Sequence, residues 1–158
     1  MNVRPKRDAD RGWVARLMRA RWGSEIAVAH GVVYEPATLD GFIAWDGERP
    51  IGLVTYHLDT GCEIVTIDSL EEGRGVGTAL LGAVETAARA ADRLFVWLVT
   101  TNDNEHAQAW YLRRGFEVVA VHEGALVRSR ELKPEIALVN AENGLPIRDE
   151  IEMRRSLD

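Results

Sequence analysis

The spacing of apolar residues changes several times along this chain, and each change marks an element. In 8–22, DADRGWVARLMRARW, Trp13, Leu17 and Met18, with Trp22 a turn further on, fall on one helical face. The stretch 25–36, EIAVAHGVVYEP, keeps no clean period and reads as a short strand with a loop. Two β-rich runs in 41–59 flank DGE, which predicts a hairpin. CEIVTIDSL, 62–70, is a strand rich in β-branched residues. From 77 to 92, Leu80, Leu81, Val84, Ala87, Ala88 and Ala91 recur at helical spacing. RLFVWLVTT, 93–101, is nearly all apolar, as expected of a strand covered on both faces. A helix over 104–114 stops at Gly115, and FEVVAVH, 116–122, follows as a strand. The spacing then predicts a short helix over 124–132, stopped by Pro134, and a last strand over 148–157. The stretch SRELKPEIALVNAENGLPIRDEIEMR, 129–154, with Arg130, Lys133, a Pro-bounded turn and NGLP, reads either as a solvated connection or as a loop over the functional face before the last strand.

Strands and helices in this order predict a mixed sheet with helices on its faces. Residues 62–101 form a strand–helix–strand crossover, the right-handed unit that joins parallel neighbours.

Composition narrows the class. The 158 residues fit a single domain, 1–158, with one core. Net charge is −6, without the basic balance of a nucleic-acid binder, so no nucleic-acid partner is expected. Cys62 is the only cysteine, which excludes an internal disulfide. No apolar run approaches the roughly 20 residues of a membrane span, and the first ten residues lack a signal peptide's apolar stretch. A cytoplasmic protein without a membrane partner is expected.

The candidate chemistry starts at EEGRGVGTALL, 71–81. Gly73, Gly75 and Gly77 lie between a predicted strand and a predicted helix. Such a turn is either purely structural or an anion site. Amide groups at a helix start have no partner within the helix, and the helix dipole favours negative charge there. Glycines let a phosphate approach the backbone, and Arg74 adds a charged donor. Two familiar phosphate loops do not fit. Thr78 stands where the G-x-x-x-x-G-K-[ST] loop requires lysine and where G-x-G-x-x-G requires glycine.

A second stretch sharpens the reading. TTNDNEHAQAWYLRRGFEVV, 100–119, sets Asn102, Asp103 and Asn104 at a strand end, ahead of a helix carrying Trp110 and Tyr111. With the glycine turn one strand and helix earlier, this resembles the GNAT superfamily of N-acetyltransferases. In that family the pyrophosphate turn reads Q/R-x-x-G-x-G/A, and Gly75 and Gly77 match its small positions. The later helix reads N-x-x-A-x-x-x-Y-x-x-x-G-F, matched at Asn104, Ala107, Tyr111, Gly115 and Phe116. The departure is Glu72, at the Gln/Arg position, a carboxylate expected to point away from the phosphates.

The resemblance implies a GNAT-like α/β (α+β) fold. Its central sheet is mixed and mostly antiparallel, with six to seven strands, helices on both faces and a splayed parallel pair. It implies acetyl-CoA as co-substrate and no metal. Cofactor contacts would come from Ile67, Asp68 and Ser69 along the pantetheine arm, from Gly73, Arg74, Gly75, Val76, Gly77 and Thr78 at the pyrophosphate, and from Asn104, Ala107 and Tyr111. The amide of Ile67 or of a neighbour would polarise the thioester carbonyl. Tyr111 would act as acid toward the departing thiol, or else serve as a core aromatic. Glu63, which opens an EIV run similar to that of histone-type members, is the candidate base, with Asp68 and His57 as weaker alternatives. Trp22 and Glu25 are candidates for the acceptor wall.

Other arrangements carry less. His30, His57, His106 and His122 lack metal-ligand spacing with Cys62, which reads as a packing residue, and there is no G-x-S-x-G nucleophile turn. The expected reaction is direct attack of a primary amine, on a small molecule or a peptide, on acetyl-CoA. A CoA-binding sensor or interaction module without turnover, a transferase for longer acyl-CoA, and a homodimer all stay open.

Overall fold

The structure is a computed structural model that describes residues 1–158. In chain order the elements are β1 (Asn2–Pro5), α1 (Arg11–Trp22), β2 (Ala27–Ala29), β3 (Val32–Tyr34), β4 (Asp40–Asp46), β5 (Arg49–Leu58), β6 (Cys62–Ser69), α2 (Val76–Ala90), β7 (Phe95–Thr101), α3 (Glu105–Arg113), β8 (Glu117–His122), α4 (Ala125–Leu132) and β9 (Glu150–Ser156). Seven strands form one sheet in the order β1-β4-β5-β6-β7-β9-β8, while β2 and β3 pair on their own. The β1–β4, β4–β5, β5–β6 and β8–β9 ladders are antiparallel, and β6 and β7 run parallel. No helix is long and apolar enough to cross a membrane.

The expected helices and long strands are present, and two features go beyond the sequence pattern. β1 is one: NVRP has no apolar period, and it becomes a strand only by pairing Asn2–Pro5 with Trp45–Phe42 of β4. As an edge strand it tolerates Pro5. The other is 25–36, which splits into β2 and β3 around His30 and Gly31, both with positive φ.

The chain divides into two compact units. The first comprises Met1–Ala27, Tyr34–Val96 and Leu157–Asp158. Here Val14, Leu17 and Met18 of α1 pack on Ile43 of β4 and Leu53 of β5, with Trp13, Trp22, Trp45 and Val65 around them. Alternation sends Gly52 to the opposite side of β5 from Leu53. A Cβ on Gly52 would lie 2.5 Å from Val76 Cγ1 and 3.1 Å from Leu80 Cδ1, so its missing side chain lets the start of α2 sit close on the sheet.

The second unit comprises Val28–Val33 and Trp97–Ser156. Its long connection, 133–149, is mostly exposed yet tightly pinned. Asn102 Nδ2 donates to Pro146 O at 2.9 Å, and its Oδ1 accepts from the Arg148 and Asp149 amides, each at 3.0 Å. Arg130 donates to the carbonyls of Ile136, Ala137 and Ile147. Asn140 donates to the buried Asp103 at 2.9 Å. Solvated and fixed are both true of this segment.

Candidate active site

The glycine turn resolves into two residues with special geometry and one without. Gly73 has φ 75° and Gly75 φ 70°, where a side chain would be strained. A Cβ on either would meet nothing within 4 Å, so the space beside the turn is open. Gly77 lies in the first turn of α2, outside the left-handed region. Gly75 is the N-cap of α2, and no side chain caps this start. The open main-chain donors and the positive end of a fifteen-residue helix therefore face a clear space. Val76 is buried under the turn, and Thr78 is exposed one residue past Gly77.

Charge around the turn is already paired. Arg74 donates to Glu71 at 2.7 Å and to Asp46 at 3.0 Å, and Arg49 bridges the same two carboxylates. The Arg74 hydrogen bonds hold both carboxyls below their ordinary range, with Arg49 adding to each. Arg74 is thus engaged by acidic side chains, while Glu72 is exposed.

The second group lies on β6. Thr66 pairs with Thr55 of β5, but Tyr56 pairs with Ile64, so Val65 is an extra residue, a β-bulge. Strict alternation would put Glu63 and Asp68, five apart, on opposite faces. The bulge puts both on the α1 side. Asp68 accepts from Trp22 Nε1 at 3.1 Å and from Arg21 Nε at 3.1 Å, both from α1. Glu63 accepts from the Tyr34 hydroxyl at 2.5 Å. Glu63 is 0% exposed and Asp68 7%. Burial raises the Asp68 pKa, and the bonds from Trp22 and Arg21 offset this only in part. His57 is exposed on β5, opposite Glu63, with its ring 5.8 Å from that of Tyr34. Ile67 and Ser69 are half-buried, and Ser69 Oγ donates to Glu71 O at 2.9 Å. Glu25 is held by Arg19 at 2.7 Å. The buried Cys62 thiol is pushed up to about 12 by burial, so it carries no nucleophilic thiolate at neutral pH.

The third group lies on α3. Asn104 caps this helix, its Oδ1 accepting from the Ala107 amide at 3.1 Å. Ala107 is half-buried. Tyr111 is 5% exposed, its ring edge-on to Trp110 at 5.0 Å and to Phe116 at 5.2 Å. Its ring is packed between these two aromatics.

Sequence reasoning singled out the turn, the two carboxylates and Trp22. It missed Arg21 and Tyr34 as their partners, and the Asp46–Arg49–Glu71–Arg74 group. The bulge that aligns Glu63 with Asp68 has no signature in CEIVTIDS. Only the i, i+3 spacing of Asp46 with Arg49, and of Glu71 with Arg74, hinted at the ion pairs.

Comparison with known proteins gives the family. Residues 12–116 match the Acetyltransferase (GNAT) family. The Bacillus subtilis (strain 168) protein YdhI, described as uncharacterized, is 40% identical over 161 residues, covering 100% of this chain and 99% of its own. The aminoglycoside 6'-N-acetyltransferase from Enterococcus faecium superposes with a TM-score of 0.67 at 15% identity, over 100% of this chain and 98% of that one. A GNAT family acetyltransferase from Elizabethkingia anophelis with acetyl-CoA bound gives 0.63 at 20% identity, over 75% and 76%. The chain belongs to the GNAT acetyltransferase family.

Proposed function

We propose that this protein transfers the acetyl group of acetyl-CoA to a primary amine, on a small molecule or a peptide, with residues 1–158 acting as one catalytic domain. The observation that supports this most is the start of α2. Two left-handed glycines leave open space before a helix that no side chain caps. That arrangement fits a diphosphate. Family membership and the acetyl-CoA bound by the Elizabethkingia anophelis protein support acetyl-CoA as that ligand.

In this reading Gly73, Arg74, Gly75, Val76, Gly77 and Thr78 hold the pyrophosphate, chiefly through main-chain N–H groups. Ile67, Asp68 and Ser69 flank the pantetheine arm, and Asn104, Ala107 and Tyr111 complete the cofactor contacts. Acetyl-CoA supplies an activated acetyl thioester. The Ile67 amide donates to the carbonyl oxygen as charge develops there. Glu63 accepts the proton that the amine must lose, by way of water because its carboxylate is fully buried. Tyr111 donates a proton to the departing sulfur.

Calorimetric titration with CoA, followed by a free-thiol assay over a panel of amines with acetyl-CoA, tests the reading. Gly75→Asp adds a Cβ at φ 70° and a negative charge at the anion site, so CoA affinity should fall at least about tenfold. Tyr111→Phe should lower kcat about a hundredfold and leave CoA affinity nearly unchanged. Unaltered affinity in Gly75→Asp overturns the placement of the phosphates. CoA binding without thiol release on any amine identifies a sensor instead, and release only from longer acyl-CoA changes the donor.

A further inference from the structure

Glu63 poses a problem that the proposed reaction leaves open. A base should meet the proton it removes, yet this carboxylate is 0% exposed. A buried carboxylate favours its protonated form unless donors stabilise the charge. Something must therefore keep Glu63 ionised, and hold one oxygen in a defined direction, if it is to accept a proton near neutral pH.

Tyr34 meets both needs. It lies 29 residues earlier, at the end of β3, and is 8% exposed. Its hydroxyl donates to Glu63 Oε1 at 2.5 Å. That length belongs to the range of about 2.5–2.7 Å for an O–H donor on a charged oxygen. The phenol itself stays protonated: burial, then the bond to Glu63 and its charge, raise its pKa well above the ordinary value. Tyr34 is thus a permanent donor to Oε1. Other titratable groups around this pair include His57 on β5, opposite Glu63, Asp59 in the β5–β6 turn, and Cys62 next along β6. Asp59 acts on Tyr34 in the same direction as Glu63, and the Cys62 thiol is neutral at working pH.

We propose that Tyr34 is the positioning residue of the catalytic base, its hydroxyl fixing the Glu63 carboxylate and holding it ionised inside the protein. This rests on the assignment of Glu63 as base. Tyr34 acts through Glu63 and takes no proton from the amine.

The experiment compares the parent with Tyr34→Phe, Glu63→Gln and the double variant. The first measurement is the pH profile of kcat/KM. The second is a carbon-13 titration of the glutamate carboxyls in the protein without CoA, with the Glu63 signal identified by its loss in Glu63→Gln. Activity requires ionised Glu63, so rate is lost as pH falls. Removing the phenol donor makes the carboxylate hold its proton to higher pH, and the acid limb in Tyr34→Phe should move up by about one pH unit. The carboxyl midpoint should move by the same amount without substrate. Well above both limbs, the Tyr34→Phe rate should recover to within a few fold of the parent, and the double variant should match Glu63→Gln. An inactive Glu63→Gln beside an unmoved limb and midpoint in Tyr34→Phe overturns the role of Tyr34 alone. A Glu63→Gln variant with parental rate and limb overturns the base assignment itself, and the proposal with it. Uniform loss of rate at all pH, with the midpoint unmoved, makes Tyr34 a packing residue and also overturns the proposal.

Discussion

Asp68 and Glu63 share a face of β6, are similarly buried, and have different partners. Glu63 has the neutral phenol of Tyr34, whereas Asp68 has the indole of Trp22 and the guanidinium of Arg21. Even with a cation beside it, burial leaves the Asp68 pKa raised in the folded protein. The sign of the consequence is definite. A carboxyl whose folded pKa lies above its unfolded value contributes stability below the unfolded pKa and loses it as pH rises through the folded one. Ionised Asp68 therefore lowers stability at neutral pH. Asp68→Asn should unfold at a higher temperature than the parent at pH 8, with the gap closing as pH is lowered through the carboxylate range to about 4. Thermal unfolding across that series checks it, and a gap that grows on acidification would contradict the raised pKa. A stability cost retained at a buried carboxylate is the pattern expected where charge serves binding or chemistry. Of these facts the sequence carries only the identities. Asp68 stands one turn of reasoning away from Trp22, but the pairing crosses 46 positions, and no local period encodes it.

At the scale of elements, what was legible was what local periodicity determines. α1, α2, the β4–β5 hairpin, β6, β7 and α4 follow from apolar spacing and from stop signals such as Pro134. What was not legible depends on a partner strand. β1 exists by pairing with β4, and the β6 bulge shows only in its register with β5. Gly52 belongs to this second kind: in PIGLVTY it looks like a weak point in a strand, and the packing of α2 explains it. Because Val76 both touches Gly52 and opens α2, the fit of helix on sheet sets where the glycine turn points. Gly52→Ala should lower stability by about 1–3 kcal/mol through overpacking. It should also weaken CoA binding, although residue 52 lies under the sheet-facing side of the helix start and not in the turn. Denaturant unfolding and CoA calorimetry on the same variant test the coupling. A fully stable variant with parental CoA affinity would mean that the start of α2 adjusts freely.

For the molecule as a whole, the motif residues fall in two compact units: the glycine turn and both β6 carboxylates in one, α3 with Asn104 and Tyr111 in the other. The second unit spends an unusual share of its polar side chains on the segment 133–149. Asn102, one of the polar residues that TTNDN sets at the strand end, gives its whole amide to this task. Asp103 contributes one oxygen, Oδ2, which receives Asn140, while its buried Oδ1 has no hydrogen-bond partner. Within TTNDN, then, Asn102 and one oxygen of Asp103 hold the chain, and Asn104 caps α3. Asn102→Ala removes three hydrogen bonds at 2.9–3.0 Å. At about 1 kcal/mol each, less for solvent access, roughly 2 kcal/mol of local stability should go. Amide exchange at Arg148 and Asp149 should accelerate accordingly, while Leu80 and Leu81 of α2 keep their protection. Asn102→Asp retains the acceptor for both amides and loses only the donation to Pro146 O, so it should fall between parent and Asn102→Ala. If exchange at Arg148 and Asp149 is unchanged in both variants, the Arg130 and Asn140 contacts hold the segment without Asn102.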